Sequence, residues 1–305
     1  MTVAEEKPAE GRPSRSWVWV GLIGLALHLV LFVYPVLRIS AWLELPLVIW
    51  SLLLLVVTSS QLIARGVLRN PKTGISRLIR QALDFVLGVS PIFVAATLVA
   101  EVVIFFSLLS ESIVAWVVIG CLIVGGCRGL YAALIPMVRR IELGYPQLRE
   151  PLSLVQITDV HIGSRSQAFL ERIVDRVAEL KPDILCITGD LIDQKGVQQS
   201  VLSCFSELAM PIYFVIGNHE RYEDLEDILT RLGKVGVQPL RNTSSWFRPD
   251  VQVVGIDDKD DSQQVENQLR EIEISPTVFT LLLYHRPQGL VPAARAGIQL
   301  MLSGQ

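Results

Sequence analysis

The chain has 305 residues, a formal net charge of −3, 51% hydrophobic residues and a mean hydropathy of +0.46. Residues 17–138 hold 11 of the 57 charged residues, whereas residues 139–305 hold 40. This contrast excludes a single soluble domain, and the high hydropathy indicates that the first part lies in lipid. The high share of hydrophobic residues also excludes a disordered chain. Four cysteines are too few for a disulfide scaffold of this length. The mildly acidic second part does not suggest a nucleic-acid partner.

Four apolar runs predict a transmembrane region of four helices. A bilayer core of about 30 Å needs roughly 20 apolar residues in a helix, and the runs cover residues 17–37, 45–64, 85–109 and 113–138. Residues 1–16 form a tail, residues 139–151 a linker, and residues 152–305 a second domain. The first run is too long for a signal peptide, and no small-residue cleavage site follows it.

The basic residues predict the orientation of these spans. They are concentrated in the tail, in the connection between the second and third spans and after the fourth span: Lys7, Arg12, Arg15, Arg65, Arg69, Lys72, Arg77, Arg80, Arg139 and Arg140. Short segments rich in Lys and Arg stay on the cytoplasmic side. We therefore expect a multi-pass protein of the inner (plasma) membrane, with both termini and the second domain in the cytoplasm.

Three polar side chains fall within the predicted spans. We expect Arg128 to extend toward the headgroups and Glu101 to face a neighbouring helix. His28 in the first span is a lone imidazole, which is more often hydrogen-bonded than a ligand. No polar path accompanies these residues, so a transporter function lacks support in the sequence.

The second domain alternates short apolar runs with amphipathic helical stretches, which indicates a layered α/β domain. Helices are predicted at residues 167–180, 197–208, 222–232, 263–272 and 292–296. Strands are predicted at residues 152–158, 184–188, 212–216, 237–240, 244–247, 251–256, 278–284 and 298–302.

Polar clusters follow four of these strands. They are Asp159-Val-His161, Gly189-Asp190-Leu-Ile-Asp193, Gly217-Asn218-His219-Glu220 and His285. Each cluster alone is more simply a turn, but all three histidines of this domain lie at strand ends. Ligands bind at the carboxyl ends of strands in open α/β sheets, so we expect the four clusters to converge on one site.

The residue types in these clusters suit divalent metal ions. Carboxylate oxygens, neutral imidazoles and an amide oxygen favour Mn, Fe or Zn over metals that prefer thiolates. Two such ions sharing one carboxylate could bind a phosphoryl oxygen and activate a water. Glycines next to the ligands allow sharp turns.

The ordered set Asp-x-His, Gly-Asp-x-x-Asp, Gly-Asn-His-Glu and His resembles the calcineurin-like metallophosphoesterase superfamily. The resemblance covers about residues 152–305. The motifs with their flanking residues, such as Val-Gln-Ile-Thr-Asp-Val-His and Ile-Thr-Gly-Asp-Leu-Ile-Asp, resemble those of a membrane-associated bacterial branch that includes the YaeI and YkuE proteins. The resemblance implies a four-layer α-β-β-α sandwich with two divalent metal ions.

Site roles follow from the resemblance by position. Asp159 and His161 would bind the first metal, Asn218 and His285 the second, and Asp190 would bridge both. His219 would be catalytic rather than a ligand, protonating the leaving group or stabilising charge, and Asp193 would orient it.

The chain departs from the family pattern after Leu302-Ser-Gly. The branch continues with His-x-His and Gly-Gly-Gln, whereas this sequence reads Gln305. Two explanations fit: a shortened form of a longer active enzyme, or a natural protein that has lost activity. We favour the first because the other motifs are intact. We expect the 305-residue chain to bind fewer than two metals and to have low activity.

The leading hypothesis is a membrane-anchored, metal-dependent phosphoesterase that hydrolyses a phosphomonoester or phosphodiester. The alternative is a catalytically impaired membrane protein that keeps the fold for binding or regulation. The short linker would hold the second domain near the headgroups, which favours a lipid-linked substrate without excluding a soluble one. The oligomeric state is not readable from the sequence.

Overall fold

A computed structural model of the chain describes residues 15–69, 73–145 and 148–304. The chain divides into two compact units, the first ending at Ile135 and the second beginning at Pro136. Most of the predicted tail, and Lys72 of the basic connection, lie outside the described residues. Each unit has its own buried apolar side chains.

The first unit is helical. Its α-helices are Arg15–His28 (α1), Tyr34–Trp42 (α2), Leu47–Leu62 (α3), Gly74–Phe105 (α4) and Glu111–Leu134 (α5). One π-helical segment joins α1 to α2, and another extends α3: Leu29–Val33 and Ile63–Val67. Within the described residues, four helical stretches are long and apolar enough to cross a membrane: Trp19–Trp42, Leu47–Val67, Gly74–Phe105 and Glu111–Leu134. Their number agrees with the prediction.

The ends of these helices differ from the predicted ends for local reasons. The first stretch continues to Trp42, so Arg38 lies in a helix and not in a connection. Helix α4 begins early, at Gly74, because Thr73 and Ser76 form reciprocal side-chain caps. Helix α5 ends at Leu134, since the residue before Pro136 disfavours helical backbone.

One ion pair and one set of side-chain to main-chain hydrogen bonds connect helices of the first unit. The carboxylate of Glu101 on α4 pairs with the guanidinium of Arg38 on α2 and accepts a hydrogen bond from the Tyr34 hydroxyl at 3.2 Å. Arg80 pairs with Asp84 at 2.8 Å and also donates to main-chain carbonyls near the end of the preceding helix. Arg128 is exposed. Glu101 therefore faces a neighbouring helix, as expected.

The second unit is a mixed α/β domain with two four-stranded sheets. The first sheet is wholly parallel, with strands in sequence order: Leu154–Ile157 (β1), Ile184–Thr188 (β2), Ile212–Val215 (β3) and Val237–Pro239 (β4). The second contains Thr243–Arg248 (β5), Val251–Ile256 (β6), Phe279–Tyr284 (β7) and Leu300–Leu302 (β8). In it, β5 is antiparallel to β6, and the remaining pairs are parallel.

Helices of the second unit connect the strands. They are Gln167–Leu180 (α6), Gln199–Leu202 (α7), Asn218–Tyr222 (α8), Leu225–Lys234 (α9), Gln264–Glu271 (α10) and Leu290–Arg295 (α11). The predicted helix at 197–208 is instead α7 followed by a 3₁₀ segment, Ser203–Glu207. The predicted helix at 222–232 corresponds to α9, which begins later because the Asp224 side chain caps its first turn.

Three clusters of buried side chains stabilise this unit. One contains residues of β2, β3, β6 and β7 and thus lies where the two sheets meet. A second joins the first sheet to residues of α6 and α9, and a third joins the second sheet to residues of α10 and α11. Strands β2, β3, β6 and β7 are buried along their whole length, as expected for strands covered on both faces. The four-layer order itself stays a prediction.

Candidate metal centre

The polar clusters predicted from the sequence lie beyond the carboxyl ends of four strands. Asp159 and His161 follow β1, Asp190 follows β2, and Asn218 follows β3. Because these strands are parallel neighbours, their carboxyl ends share one edge of the first sheet. His285 follows β7 of the second sheet. The two sheets therefore both contribute polar side chains to one site.

Asp190 lies at the centre of this site. It belongs to both groups of side chains whose oxygen and nitrogen atoms lie within 4.8 Å of one another: His161, Asp190 and His219, and Asp159, Asp190 and His285. Asp190 is only 3% exposed. One buried carboxylate shared by two groups of metal-ligating side chains has the chemistry of a bridging ligand. Both groups fit divalent cations that prefer oxygen and imidazole ligands.

The His285 ring has a fixed orientation. Its Nδ1 lies 2.8 Å from the Thr188 carbonyl, which can only accept, so Nδ1 carries the proton. Its Nε2 then faces the site, 3.2 Å from Asn218 Oδ1 and 3.4 Å from an Asp190 oxygen. A hydrogen bond from the second nitrogen to a carbonyl is a common way to orient a metal-binding imidazole.

Opposite charges perturb the pKa values of this pair. Burial favours the neutral form of His285, but hydrogen bonds with Asp190 and Thr188 outweigh it and raise the pKa of His285 to about 9. Burial also opposes the charged form of Asp190. The hydrogen bonds from His285 and from the His219 main chain outweigh this effect and lower the pKa of Asp190. Without metal, the site therefore favours a charged imidazole beside a charged carboxylate.

The backbone at three candidate ligands is strained. Asp159, His161 and Asp190 have φ values of +54°, +54° and +52°, in the left-handed region that most residues with side chains avoid. Such a residue costs about 1–3 kcal/mol and persists where its surroundings hold it in place. Here, Asp159 N–H donates to the Gly189 carbonyl and His161 N–H to the Asp190 carbonyl. These bonds tie together the segments that follow β1 and β2.

Two glycines allow the segments to approach each other closely. An added Cβ at Gly217 would lie 2.6 Å from the main-chain nitrogen of Asp190 and 2.2 Å from its carboxylate oxygen. Gly189 has a φ of +91°, and an added Cβ would lie 2.7 Å from Nδ1 of His285. Any larger residue at either position would displace a candidate ligand.

Glu220 is a buried residue whose role is not evident from the sequence alone. Its carboxylate is fully buried and accepts three main-chain hydrogen bonds, from Asp190 at 3.0 Å, Ile192 at 2.9 Å and Gly217 at 2.9 Å. Burial raises its pKa, while these donors oppose that change. Glu220 thus holds the segments after β2 and β3 together. Its position as the last residue of Gly-Asn-His-Glu was the signal in the sequence.

The two predicted catalytic residues are close to the candidate ligands. His219 Nε2 lies 3.9 Å from Asp190, and the His219 and His161 rings pack edge to face with centroids 4.7 Å apart. Asp193 lies 3.7 Å from His161 Nδ1 and accepts a hydrogen bond from the Ser164 N–H. Among the described residues, Asp193 therefore pairs with His161, and its predicted pairing with His219 stays a prediction.

The grouping of the site residues differs in detail from the sequence assignment. His219 joins the group of His161 and Asp190, although the family pattern excluded it as a ligand. Asp159 groups with His285, yet its carboxylate is also 3.8 Å from His161. The short distances among all of these side chains explain why one residue fits either group.

Comparison with known proteins gives the family. Residues 152–281 match the family described as calcineurin-like phosphoesterase. The chain carries a calcineurin-like metallophosphoesterase domain. It is 32% identical over 197 residues to a transmembrane protein with metallophosphoesterase domain of Danio rerio. It is 25% identical over 178 residues to an uncharacterized metallophosphoesterase of Campylobacter jejuni.

The chain spans about half the length of these relatives, since the matches cover 45% and 47% of them and 57% and 55% of this chain. A further relative is the UDP-2,3-diacylglucosamine pyrophosphatase LpxG of Chlamydia muridarum. It is 30% identical over 99 residues and covers 30% of each chain. The chain is thus similar to a protein named as transmembrane, to a protein named as a metallophosphoesterase and to one named as a diacylglucosamine pyrophosphatase.

Proposed function

We propose that this protein is a membrane-anchored phosphoesterase that uses two divalent metal ions to hydrolyse a phosphomonoester or phosphodiester. The main support for this proposal is the position of Asp190, a buried carboxylate that belongs to both groups of metal-ligating side chains. The family match supports hydrolase chemistry, and the apolar helices support the membrane anchor.

Five side chains would hold the metal ions. Asp159, His161, Asn218 and His285 would complete the ligand set around the bridging Asp190, within the predicted four-layer sandwich. When bound, the metal ions would supply polarisation of the phosphoryl oxygens and an activated water. The Thr188 carbonyl keeps the His285 Nδ1 protonated, so Nε2 is the nitrogen that would bind metal.

His219 is the candidate proton donor to the leaving group. Its side chain is 43% exposed, whereas the side chains of Asp190 and His285 are almost fully buried. An exposed imidazole next to the bridging carboxylate could reach a substrate oxygen, which a buried imidazole could not. Asp193 would act on this imidazole through the packing of His161 against His219.

A lipid-linked phosphoester is the substrate class that we favour. The relatives named as transmembrane proteins and the relative named for a diacylglucosamine substrate support this choice. The basic segments support a location in the inner membrane with the catalytic domain in the cytoplasm. A soluble phosphoester is the alternative substrate. Comparing the rates of hydrolysis of a lipid-linked and a soluble phosphoester would distinguish the two.

The test is Mn²⁺-dependent hydrolysis of a chromogenic phosphodiester in detergent, measured on a version of the chain extended by the His-x-His segment of the family pattern. Asp190→Asn should abolish hydrolysis, because a neutral amide cannot offset the charge of two adjacent cations. His219→Ala should slow turnover roughly 10²–10⁴-fold, the usual contribution of a general acid, with metal content nearly unchanged. Loss of metal in His219→Ala would instead make His219 a ligand. Metal binding without any hydrolysis by the extended version would favour the binding or regulatory alternative.

A further inference from the structure

A second ion-pair cluster lies close to the candidate metal centre. Its carboxylates are Asp258 and Asp260, which follow β6, and its cations are Arg221 on α8 and Arg286 after β7. Arg221 contacts Asp258 at 2.6 Å and Asp260 at 3.2 Å. Arg286 pairs with both carboxylates as well. None of these residues belongs to the motifs that identified the site.

The two carboxylates differ in their surroundings. The Asp258 side chain is completely buried, whereas the Asp260 side chain is 61% exposed. The Asp258 carboxylate accepts hydrogen bonds from Nε and Nη2 of Arg286 and from Nη1 of Arg221. It therefore binds both guanidinium groups. Charge-assisted hydrogen bonds from two planar guanidinium groups fix the orientation of a buried carboxylate. An exposed ion pair such as that of Asp260 contributes little.

The cluster joins the two halves of the metal centre. Arg221 lies on the short helix that also carries Asn218 and His219, next to the first sheet. Arg286 directly follows His285 at the end of the second sheet. The distance of 3.2 Å between Asn218 Oδ1 and His285 Nε2 therefore depends on two backbone segments that meet at one carboxylate.

We propose that Asp258 is a positioning residue that sets the spacing between Asn218 and His285. The inference rests on the proposed function, because it assigns Asp258 a role in the same metal site. Without the buried carboxylate, Arg221 and Arg286 would share only the exposed carboxylate of Asp260, which offsets their repulsion weakly. The segments that carry Asn218 and His285 would then separate.

The chain offers two matched controls. Asp260→Asn removes the exposed carboxylate from the same two arginines. Asp250→Asn breaks the Arg248–Asp250 pair, whose Asp250 side chain is 10% exposed and which lies at the opposite end of β6. A purely structural role for Asp258 would make Asp258→Asn resemble Asp250→Asn, with lower stability and unchanged metal affinity.

The experiment measures Mn²⁺ affinity by electron paramagnetic resonance for the full chain in detergent. We expect Asp258→Asn to weaken Mn²⁺ binding roughly 10–100-fold, as is typical when a residue that supports a ligand is lost. Asp260→Asn and Asp250→Asn should bind Mn²⁺ within about twofold of the wild type. Equal Mn²⁺ affinity in Asp258→Asn and the wild type would overturn the proposal.

A second measurement does not need metal. The protein has four histidines, so histidine-selective ¹⁵N labelling gives a simple spectrum in which the buried Nδ1–H of His285 is protected by Thr188. Asp258→Asn should speed solvent exchange of this proton at least tenfold, while Asp260→Asn should not. Unchanged exchange would overturn the role of Asp258 even if the wild type binds no Mn²⁺, a result that would separately refute the proposed function.

A milder variant covers the case in which Asp258→Asn does not fold. Arg221→Lys keeps the cation but cannot bridge two carboxylates with a planar fork. We expect it to weaken Mn²⁺ binding about three- to tenfold and to raise the exchange rate of the His285 proton. Wild-type values for both measurements would count against the proposal.

Discussion

At the scale of single residues, the candidate metal centre combines strained backbone with very close packing. Asp159, His161 and Asp190 all occupy the left-handed region, and hydrogen bonds from neighbouring segments hold them there. Gly217 lies directly against Asp190, and Glu220 binds the main chain of both. Geometry held in this way is pre-organised, which limits the reorganisation that metal binding requires.

The glycine beside Asp190 gives the first prediction. Gly217→Ala would place a Cβ within 2.6 Å of the Asp190 nitrogen, so we expect a loss of about 1–3 kcal/mol in unfolding free energy from overpacking. The displaced carboxylate should also weaken Mn²⁺ binding at least tenfold. Urea unfolding in detergent and Mn²⁺ titration would measure the two effects.

Gly233→Ala is the matched control. Gly233 lies in α9, and an added Cβ would contact nothing within 4 Å beyond its chain neighbours and the backbone of its own helix. We expect a gain of about 0.5–1 kcal/mol, because alanine is the better helix former, with Mn²⁺ affinity unchanged. Wild-type stability and Mn²⁺ affinity in Gly217→Ala would show that Asp190 tolerates displacement.

At the scale of elements, the sequence predicted most of the strands of the second unit because they are short, apolar and bounded by turn residues. Strand β2 and helix α6 begin and end at the predicted residues. The starts of helices were predicted less well where a polar side chain outside the apolar pattern caps the first turn. Because Thr73 and Asp224 act as N-caps, α4 begins earlier than predicted and α9 begins later.

The same contrast holds for the site. Its candidate ligands were predictable because they follow strands within recognisable motifs. Asp258 was not predictable, since its role depends on a pairing with Arg221 and Arg286 across 37 and 28 positions of the sequence. Periodicity reports which face of an element is buried, but it carries no information on such long-range pairs.

The Arg38–Glu101 pair gives a prediction for the membrane unit. Arg38→Leu would leave Glu101 without its cation between apolar helices, so we expect a loss of about 1.5–3 kcal/mol, the range for hydrogen bonds to charged groups. The variant Arg38→Leu/Glu101→Leu should recover part of this loss, because it leaves no unpaired charge. Thermal unfolding in detergent would measure both.

Arg128→Leu serves as the control for this pair, since Arg128 is exposed on α5 and should contribute little to stability. If the double variant lost at least as much stability as Arg38→Leu, the ion pair would not be the cause. Such a result would point to lost packing of the long Arg38 side chain, whose guanidinium lies over the Trp42 ring.

At the scale of the whole molecule, the chain joins a helical unit with lipid-compatible surfaces to a mixed α/β unit. Exposed Leu, Ile, Val and Phe side chains cover the long helices of the first unit. In contrast, residues 139–305 carry 23 acidic and 17 basic residues. The charge distribution along the chain thus separates the part whose helices are long and apolar enough to cross a membrane from the part that carries the candidate metal centre.

The last prediction concerns the orientation of the chain in the membrane. The tail and the connection between the second and third candidate spans contain eight Lys and Arg residues. Arg77 and Arg80 lie in the first turns of α4, still within the distance from a span over which basic residues retain a segment in the cytoplasm. We expect alkaline phosphatase fused after Gln305 in a bacterial host to be inactive and a fluorescent protein at the same point to be bright. Fusion after Glu44, between the first two spans, should give the opposite pair of signals. Active alkaline phosphatase at Gln305 would reverse the orientation and would place the candidate metal centre outside the cytoplasm, where a different set of phosphoesters would be within its reach.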